Sequence, residues 1–391
     1  MPPEERVYLD HNATTPLLPE VRQALSRALD EGWGNPSSHH WAGRSAKIQL
    51  DAGREGVATS IGAGVAEIIF TSGASEADNL AIRGVCSGAP GSRDTIVLTA
   101  IEHPAVTAAA AECASRGWRV VTVGVDRDGL LDLAALAAAI GPRTALVSAM
   151  AVNNETGAIL PVEKIGALAR AAGARFHCDA VQALGKIPVD VVRWNADLLV
   201  LAAHKCGGPK GVGALYVRRG VQVAPLVLGG SQERERRAGT ENVAGIVGMG
   251  LACSLAAQRQ PEYAARLAPL RDRLESQILA LVPRSTAHGA RAPRVANTSY
   301  VSFEGTLGEN LLLSLDLEGI AVSGGSACAS GAMHPSKTLE AMGVDAGSAM
   351  GAVRFSLGAS SKDSDVERVL AVLPSLVARE RAAAGKASAA C

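Results

Sequence analysis

Seven short runs rich in Val, Ile and Leu recur between residues 66 and 217, and they limit the fold more than any other feature. They fall at 66–70, 95–99, 120–125, 146–152, 174–177, 198–203 and 213–217. Between most of them lie stretches of helical spacing, at 75–85, 104–116 and 161–172, and an earlier helix is expected over 19–30. Parallel strands need a crossover of a dozen or more residues, and a helix in that crossover covers one face of the sheet. The expected fold class is therefore α/β, with a mainly parallel seven-stranded sheet and helices on both faces. From about residue 255 the alternation weakens. A charged helical stretch (262–281), a strand-like run (295–303), a helix (308–319), a strand (351–357) and a terminal helix read as a smaller α+β C-terminal domain. The expected division is a large domain over 16–255, a small domain made of 1–15 and 256–378, and a frayed tail over 379–391, where the sequence is low in complexity.

Composition removes several function classes. The chain has 391 residues, 48% of them hydrophobic, enough to bury two cores. Its 38 basic and 38 acidic side chains balance, so no nucleic-acid surface is expected. The longest apolar run, 243–257, is too short to span a bilayer and reads as a buried helix. The opening MPPEERVYLDHN lacks the apolar core of a signal peptide. Seven cysteines without CxxC spacing argue against a disulfide framework and against a zinc site. A cytoplasmic protein with no metal and no membrane contact is the expectation.

Ligands of open α/β sheets bind beyond the carboxyl ends of the strands, and here those ends carry reactive side chains. EIIFTSGAS finishes in Thr71, Ser72, Gly73 and Ser75, TIVLTAIEH in His103, VSAMAVNNET in Asn153, Asn154 and Glu155, RFHCDAVQ in Asp179 and Gln182, and LLVLAAHK in His204 and Lys205. One such residue is unremarkable; five ends together point to one crevice. The turn TSGASE leads into a helix, whose free N–H groups and positive dipole end suit a phosphate. The plainer reading is a helix cap, with Ser75 capping and Asp78 at the third helical position. A buried Asp179 needs a cationic partner. Lys205, where a buried strand gives out, suits a Schiff base, because only a neutral amine attacks a carbonyl. Phosphate cradle, carboxylate and lysine together describe a site for pyridoxal phosphate. Two features stand apart from it: the charged, glycine-punctuated stretch 229–242, and Cys328 among Gly, Ala and Ser, where a thiol reads as reactive rather than packed.

Ten segments in order then resemble one family. They are YLDHNATTP, GNPSS, FTSGASEADN, EHPAV, VNNETG, HCDAVQALGKIPVD, HKCGGPKGVGALYVRRG, RRAGTEN, SGGSACASGAMHPS and VRFSLG. The chain resembles the cysteine desulfurases, class V aminotransferase relatives with the type I fold of pyridoxal-phosphate enzymes, found in nitrogen-fixation and iron–sulfur assembly systems. The resemblance implies that Lys205 carries the Schiff base, Asp179 pairs with the pyridinium nitrogen, Gln182 bonds the phenolic oxygen and His103 stacks on the ring and moves protons. It implies that Ser75, His204 and the backbone of Gly73–Ala74 hold the phosphate, joined by Thr240 from a second subunit of a homodimer. Arg354 would clamp the carboxylate of L-cysteine, with Asn154 and Asn12 nearby. Cys328 would take the sulfur as a persulfide, leave L-alanine, and pass the sulfur to an acceptor protein such as an iron–sulfur scaffold. Ala202 stands where relatives often carry a phosphate-binding Ser, and Ser75 where Thr is frequent. Rival readings are another lyase or aminotransferase of this fold, with Cys328 incidental, and a scaffold that has lost its chemistry. A nicotinamide dehydrogenase lacks support because no GxGxxG follows the first strand.

Overall fold

The computed structural model describes residues 6–87, 91–324 and 335–389, with the side chains of the last five of these left aside. The chain opens on β1 (Val7–Tyr8), α1 (Pro19–Glu31) and α2 (Trp41–Ser60). It then builds a sheet from β2 (Ile68–Thr71), β3 (Thr95–Thr99), β4 (Arg119–Val123), β5 (Thr144–Ser148), β6 (Arg175–Asp179), β7 (Leu198–Ala202) and β8 (Gly213–Val217). Helices α3 (Ala74–Val85), α4 (Pro104–Ser115), α5 (Leu133–Ala139) and α6 (Val162–Ala171) lie between them. The strand order is β2-β8-β7-β6-β5-β3-β4, and only β8 runs against its neighbours. The expected mainly parallel seven-stranded sheet is present.

Strand periodicity explains the two covered faces. In β7, Leu198 and Val200 enter a core with Leu80 and Ile82 of α3 and Val106 of α4. Leu199 and Leu201, one residue out of step, enter the opposite core with Leu50 of α2, Ile165 of α6 and residues of the helix that follows the sheet. Every residue of β7 is buried, so it reads as a continuous apolar run rather than an alternation.

That helix, α7 (Val243–Leu281), corrects one expectation. The sequence reads as two helical stretches, 243–257 and 262–281, yet one helix runs unbroken through both, with Pro261 and Pro269 inside it. Each proline removes one intrahelical donor. Buried side chains on both sides offset the loss: Ile246, Met249 and Cys253 pack under the sheet, while Leu267, Leu270, Leu274 and Ile278 pack into a separate core. The expected boundary at 255/256 falls inside this helix. Beyond it come β9 (Ser285–Ala287), β10 (Thr298–Phe303), α8 (Gly308–Leu317), β11 (Ile320–Ala321), α9 (Lys337–Ala341), α10 (Ala346–Met350), β12 (Ala352–Ser356) and α11 (Asp363–Ala389). β12, β10 and β9 form an antiparallel sheet, and β1 returns to pair with β11, bringing Val7 and Leu9 into the second core. The alanine-rich end read as a frayed tail from 379 instead continues α11 to Ala389, in keeping with the high helix propensity of alanine. Among the described residues no helix is long and apolar enough to cross a membrane.

The helix α2 was not anticipated, because Gly43, Gly53 and Gly56 dilute its pattern. Two of those glycines have a packing reason. A Cβ on Gly53 would lie 2.7 Å from Ile246 O, and one on Gly56 would lie 2.7 Å from Gly250 O, so α2 and α7 cross at backbone distance.

Candidate active site

The strand ends converge as expected. β7 ends at Ala202, a single 3-10 turn (Ala203–Lys205) follows, and Lys205 comes to rest half-buried. Its Nζ donates to the backbone carbonyls of Asn12 (2.6 Å) and Ala13 (2.8 Å). These carbonyls belong to the YLDHNATTP segment, which is threaded from the small-domain side into the cleft. Lys210 stands exposed in the turn beyond. Behind Lys205 is a cavity of about 340 Å³, lined mainly by apolar groups that include Leu18, Leu184, Leu255 and Tyr263.

Asp179 ends β6, is only 6% exposed, and accepts from the N–H of Val181 at 2.9 Å. Beneath it, His177 Nε2 lies 3.4 Å from Asp78 Oδ1, and Ser148 Oγ is 2.9 Å from His177 Nδ1. Burial lowers the His177 pKa to about 4. Burial and then the charge of Asp179 raise that of Asp78 well above the carboxylate range. Burial thus opposes charge on both groups, so the 3.4 Å contact is not read as an ion pair. Neutral neighbours leave the Asp179 charge to whatever cation the cleft takes up.

His103 caps α4: its Nδ1 accepts from the N–H of Ala105 at 3.1 Å, which puts the proton of the neutral ring on Nε2. Its pKa is lowered by burial, with Asp179 opposing and Lys205 reinforcing, so His103, Asp179 and Lys205 share one electrostatic environment. His204 is lowered to about 4 by burial and by Lys205 and Lys210, and its Nδ1 is 3.2 Å from Thr14 Oγ1.

The phosphate cradle needs one correction. α3 starts at Ala74 with Gly73 as its cap residue, so Ser75 is the second helical residue and does not cap. Asp78 is buried against His177 and cannot close a capping box. Glu76 instead accepts from the N–H of Ser72 at 2.7 Å. The first N–H groups of the helix have no acceptor one turn back, and a Cβ on Gly73 would meet nothing within 4 Å, so open space faces the helix start. Gly213 of β8 packs on this turn, since its Cβ would lie 2.6 Å from Gly73 C. Ala202, in register with Gly213, presents no hydroxyl there.

On the opposite wall, Arg354 in β12 is 2% exposed. It donates through Nη2 to Asp10 Oδ1 (2.8 Å) and through Nη1 to Asn154 O (2.9 Å). Its backbone pairs with Ser323. Tyr300 Oη donates to Gly324 O at 3.2 Å, and Ser336 Oγ donates to the buried carboxylate of Glu155. Both flanks of the 325–334 segment are thus anchored on this wall, while Cys328 itself lies outside the described residues. Thr240 is exposed on the 229–242 loop, whose Arg237 pairs with Glu76 of α3 at 3.0 Å.

Asn12 ties the walls together. Its carbonyl accepts from Gln182 Nε2 (2.9 Å) as well as from Lys205, and its Nδ2 donates to Thr298 Oγ1 (2.9 Å) and Asn154 O (3.1 Å). The residue that sequence reasoning missed is Lys186, buried beside Asn12 and Gln182. Its spacing of four from Gln182, within an otherwise apolar turn, was the available signal.

Amine, carboxylate and helix start match the aldehyde, ring nitrogen and phosphate of pyridoxal phosphate, and the open space before Gly73 leaves room for the last. Comparison with known proteins places the chain in a family. The family model described as aminotransferase class-V matches residues 7–369. A cysteine desulfurase from Cereibacter sphaeroides is 50% identical, covering 97% of each chain. A solved NifS-like protein superposes with a TM-score of 0.90 at 36% identity, over 95% of this chain and 99% of its own. A structure of SspA in complex with cysteine matches with a TM-score of 0.79 at 31% identity, over 90% of this chain and 98% of its own.

Proposed function

Because the chain belongs to the class V aminotransferase family and is a pyridoxal-phosphate-dependent cysteine desulfurase, we propose that Cys328 accepts the sulfur and that the residues gathered around Lys205 prepare it. The observation that carries this reading is the anchoring of Ser323 on Arg354 and of Ser336 on Glu155. The four residues from Gly324 to Cys328 could span up to about 14 Å if extended, a length compatible with a thiol that meets a substrate held at Arg354.

Lys205, Asp179, Gln182, His103, His204 and the start of α3 hold the cofactor, with Ser75, Gly73 and Ala74 at its phosphate. Bound there, pyridoxal phosphate supplies a sink for the electron pair left on the substrate's α-carbon. L-Cysteine, the molecule bound in the SspA structure, presents its carboxylate to the Arg354 fork, which suits bidentate contact. Asn154 and Asn12 border this position. The Lys205 amine takes the α-proton, and the Asp179 carboxylate keeps the facing ring nitrogen protonated. His103 carries its proton on Nε2, where it can be exchanged with the reacting atoms. The Cys328 thiolate attacks the substrate sulfur. The carbon–sulfur bond breaks, its electrons stay on carbon, and protonation there yields L-alanine. Cys328 keeps the sulfur as a persulfide, so one cysteine gives one alanine and one transferable sulfur.

The working unit is a homodimer in which Thr240 of the partner subunit completes the phosphate site. Exposure of Thr240 supports this, as do Trp33 and Trp41, which stand edge to face with 66% and 69% of their surface uncovered. An acceptor protein, an iron–sulfur scaffold by the family's pattern, receives the sulfur. Cys86, Cys113, Cys178, Cys206 and Cys253 are all free, which supports a reducing cytoplasm. The test is Cys328→Ala with L-cysteine and a thiol acceptor. The variant should keep its yellow chromophore and lose sulfur transfer, and undiminished transfer refutes the role of Cys328.

A further inference from the structure

Lys186 is 6% exposed and has no task in the chemistry above. Its Nζ donates to Asn12 Oδ1 at 2.9 Å and to Gln182 Oε1. Each acceptor is the oxygen of a side-chain amide whose nitrogen is bonded elsewhere. Gln182 turns its amide nitrogen to the Asn12 carbonyl, the same carbonyl that Lys205 uses. Asn12 turns its own amide nitrogen to Thr298 and Asn154, while Asn297 Nδ2 joins Lys186 on its oxygen at 3.1 Å.

An amide has two ends of nearly equal size, and only hydrogen bonding decides which end points where. An amine N–H finds an acceptor on an amide oxygen and none on an amide nitrogen. We propose that Lys186 is a positioning residue: by holding the two side-chain oxygens, it fixes the amide orientation of Gln182 and Asn12, so that Gln182 presents N–H to the cofactor's phenolic oxygen and Asn12 turns its own side-chain N–H groups to Thr298 and Asn154. The inference rests on the reading of Gln182 as the phenolic contact. It does not require a charge on Lys186. Burial and then the charges of Lys205 and Arg354 hold its pKa well below the usual lysine range, with the Cys206 thiol opposing. His11 also lies in its field. A neutral amine still has two N–H groups, which match these two acceptors.

An N–H on the phenolic oxygen favours its deprotonated form, so losing it raises the pH at which the visible chromophore titrates. In absorbance titrations of the holoenzyme, Gln182→Ala should raise the midpoint by roughly one pH unit, a tenfold change in proton affinity. Lys186→Met should raise it comparably, and the double variant should add nothing further. If Gln182→Ala leaves the midpoint unmoved, the contact reading falls and the inference with it. If Gln182→Ala shifts it while Lys186→Met does not, or if the two shifts add in full, the inference alone is overturned. Thermal melting reads support separately: Lys186→Met strands buried acceptors and should lower the melting temperature modestly, whereas the titration midpoint moves only if the Gln182 amide turns. Lys186→Gln, shorter but still a donor, provides a second variant and should give a smaller shift. In the apo-protein, an amine-reactive reagent should label Lys205 well before Lys186, and equal labelling contradicts the bonding described.

Discussion

At the scale of the residue, this site is built from groups held neutral beside a few that keep their charge. His11, His177, His204 and His288 all have pKa values lowered to about 4, with burial as the leading cause. The unfolded chain would protonate them near 6.5. Below that value the unfolded state binds more protons, so their contribution to stability is complete above about 6.5 and is lost as pH falls toward 4. Glu102, raised to about 8 by burial, acts in the opposite sense above its usual value. Burial raises Asp78 and Glu155 in the same sense as Glu102 and lowers His103 in the sense of the other histidines, so five groups stand against three and urea midpoints should fall between pH 7 and pH 5. His177→Gln should flatten that slope by up to one proton, about 1.4 kcal/mol per pH unit, and an unchanged slope would show that His177 is not the neutral base described. Lys205→Ala should abolish both chromophore and alanine formation, whereas Lys210→Ala should keep both; the reverse result would reassign the Schiff base. Lys205, Asp179, His103 and Arg354 were legible because each ends a strand or lies in a distinctive motif. Lys186 was not, because its meaning depends on Asn12, far away in the chain.

Among the elements, glycine misled the sequence reading most. In α2 it looked like dilution of a helical pattern, and only the crossing with α7 shows its purpose. A Cβ on Gly250 would lie 2.4 Å from Gly53 O. Gly250→Val should therefore force α2 and α7 apart at a cost of about 1–3 kcal/mol, read as a lower urea midpoint. A value within experimental error of wild type would mean the crossing has slack. The loop that carries Thr240 depends on a second device. Glu233, Arg234 and Glu235 have φ values of 46, 56 and 63, a left-handed run that L-residues adopt at a cost. Arg54 holds Glu233 through paired bonds of 2.8 and 2.7 Å, and the N–H of Phe70 donates to the same carboxylate at 3.0 Å. Removing one partner of so buried a pair strands the other charge. Arg54→Met should cost about 3–5 kcal/mol and weaken cofactor retention, measurable by dialysis of the holoenzyme. The strands were legible from their apolar runs, whereas β9 and α5 are too short to carry a period.

At the scale of the whole molecule, one long helix is shared by a core under the sheet and the core of the C-terminal elements, and the N-terminal segment crosses between them to deliver Asn12 to Lys205. The site lies along that seam, with the sheet domain supplying amine, carboxylate and helix start, and the second core supplying Arg354 and the flanks of the Cys328 segment. Sequence alone located both halves through strand ends and motifs. It could not show that one carbonyl, Asn12 O, joins them, because that contact is made across the seam. The account stands or falls on where the sulfur goes in a single turnover. Incubate the holoenzyme with one equivalent of L-cysteine, quantify alanine, and locate the added sulfur by peptide mass spectrometry. One alanine per sulfur carried on the Cys328 peptide is the predicted result. Alanine formed with no sulfur on that peptide, or with the sulfur on Cys206 instead, would contradict it.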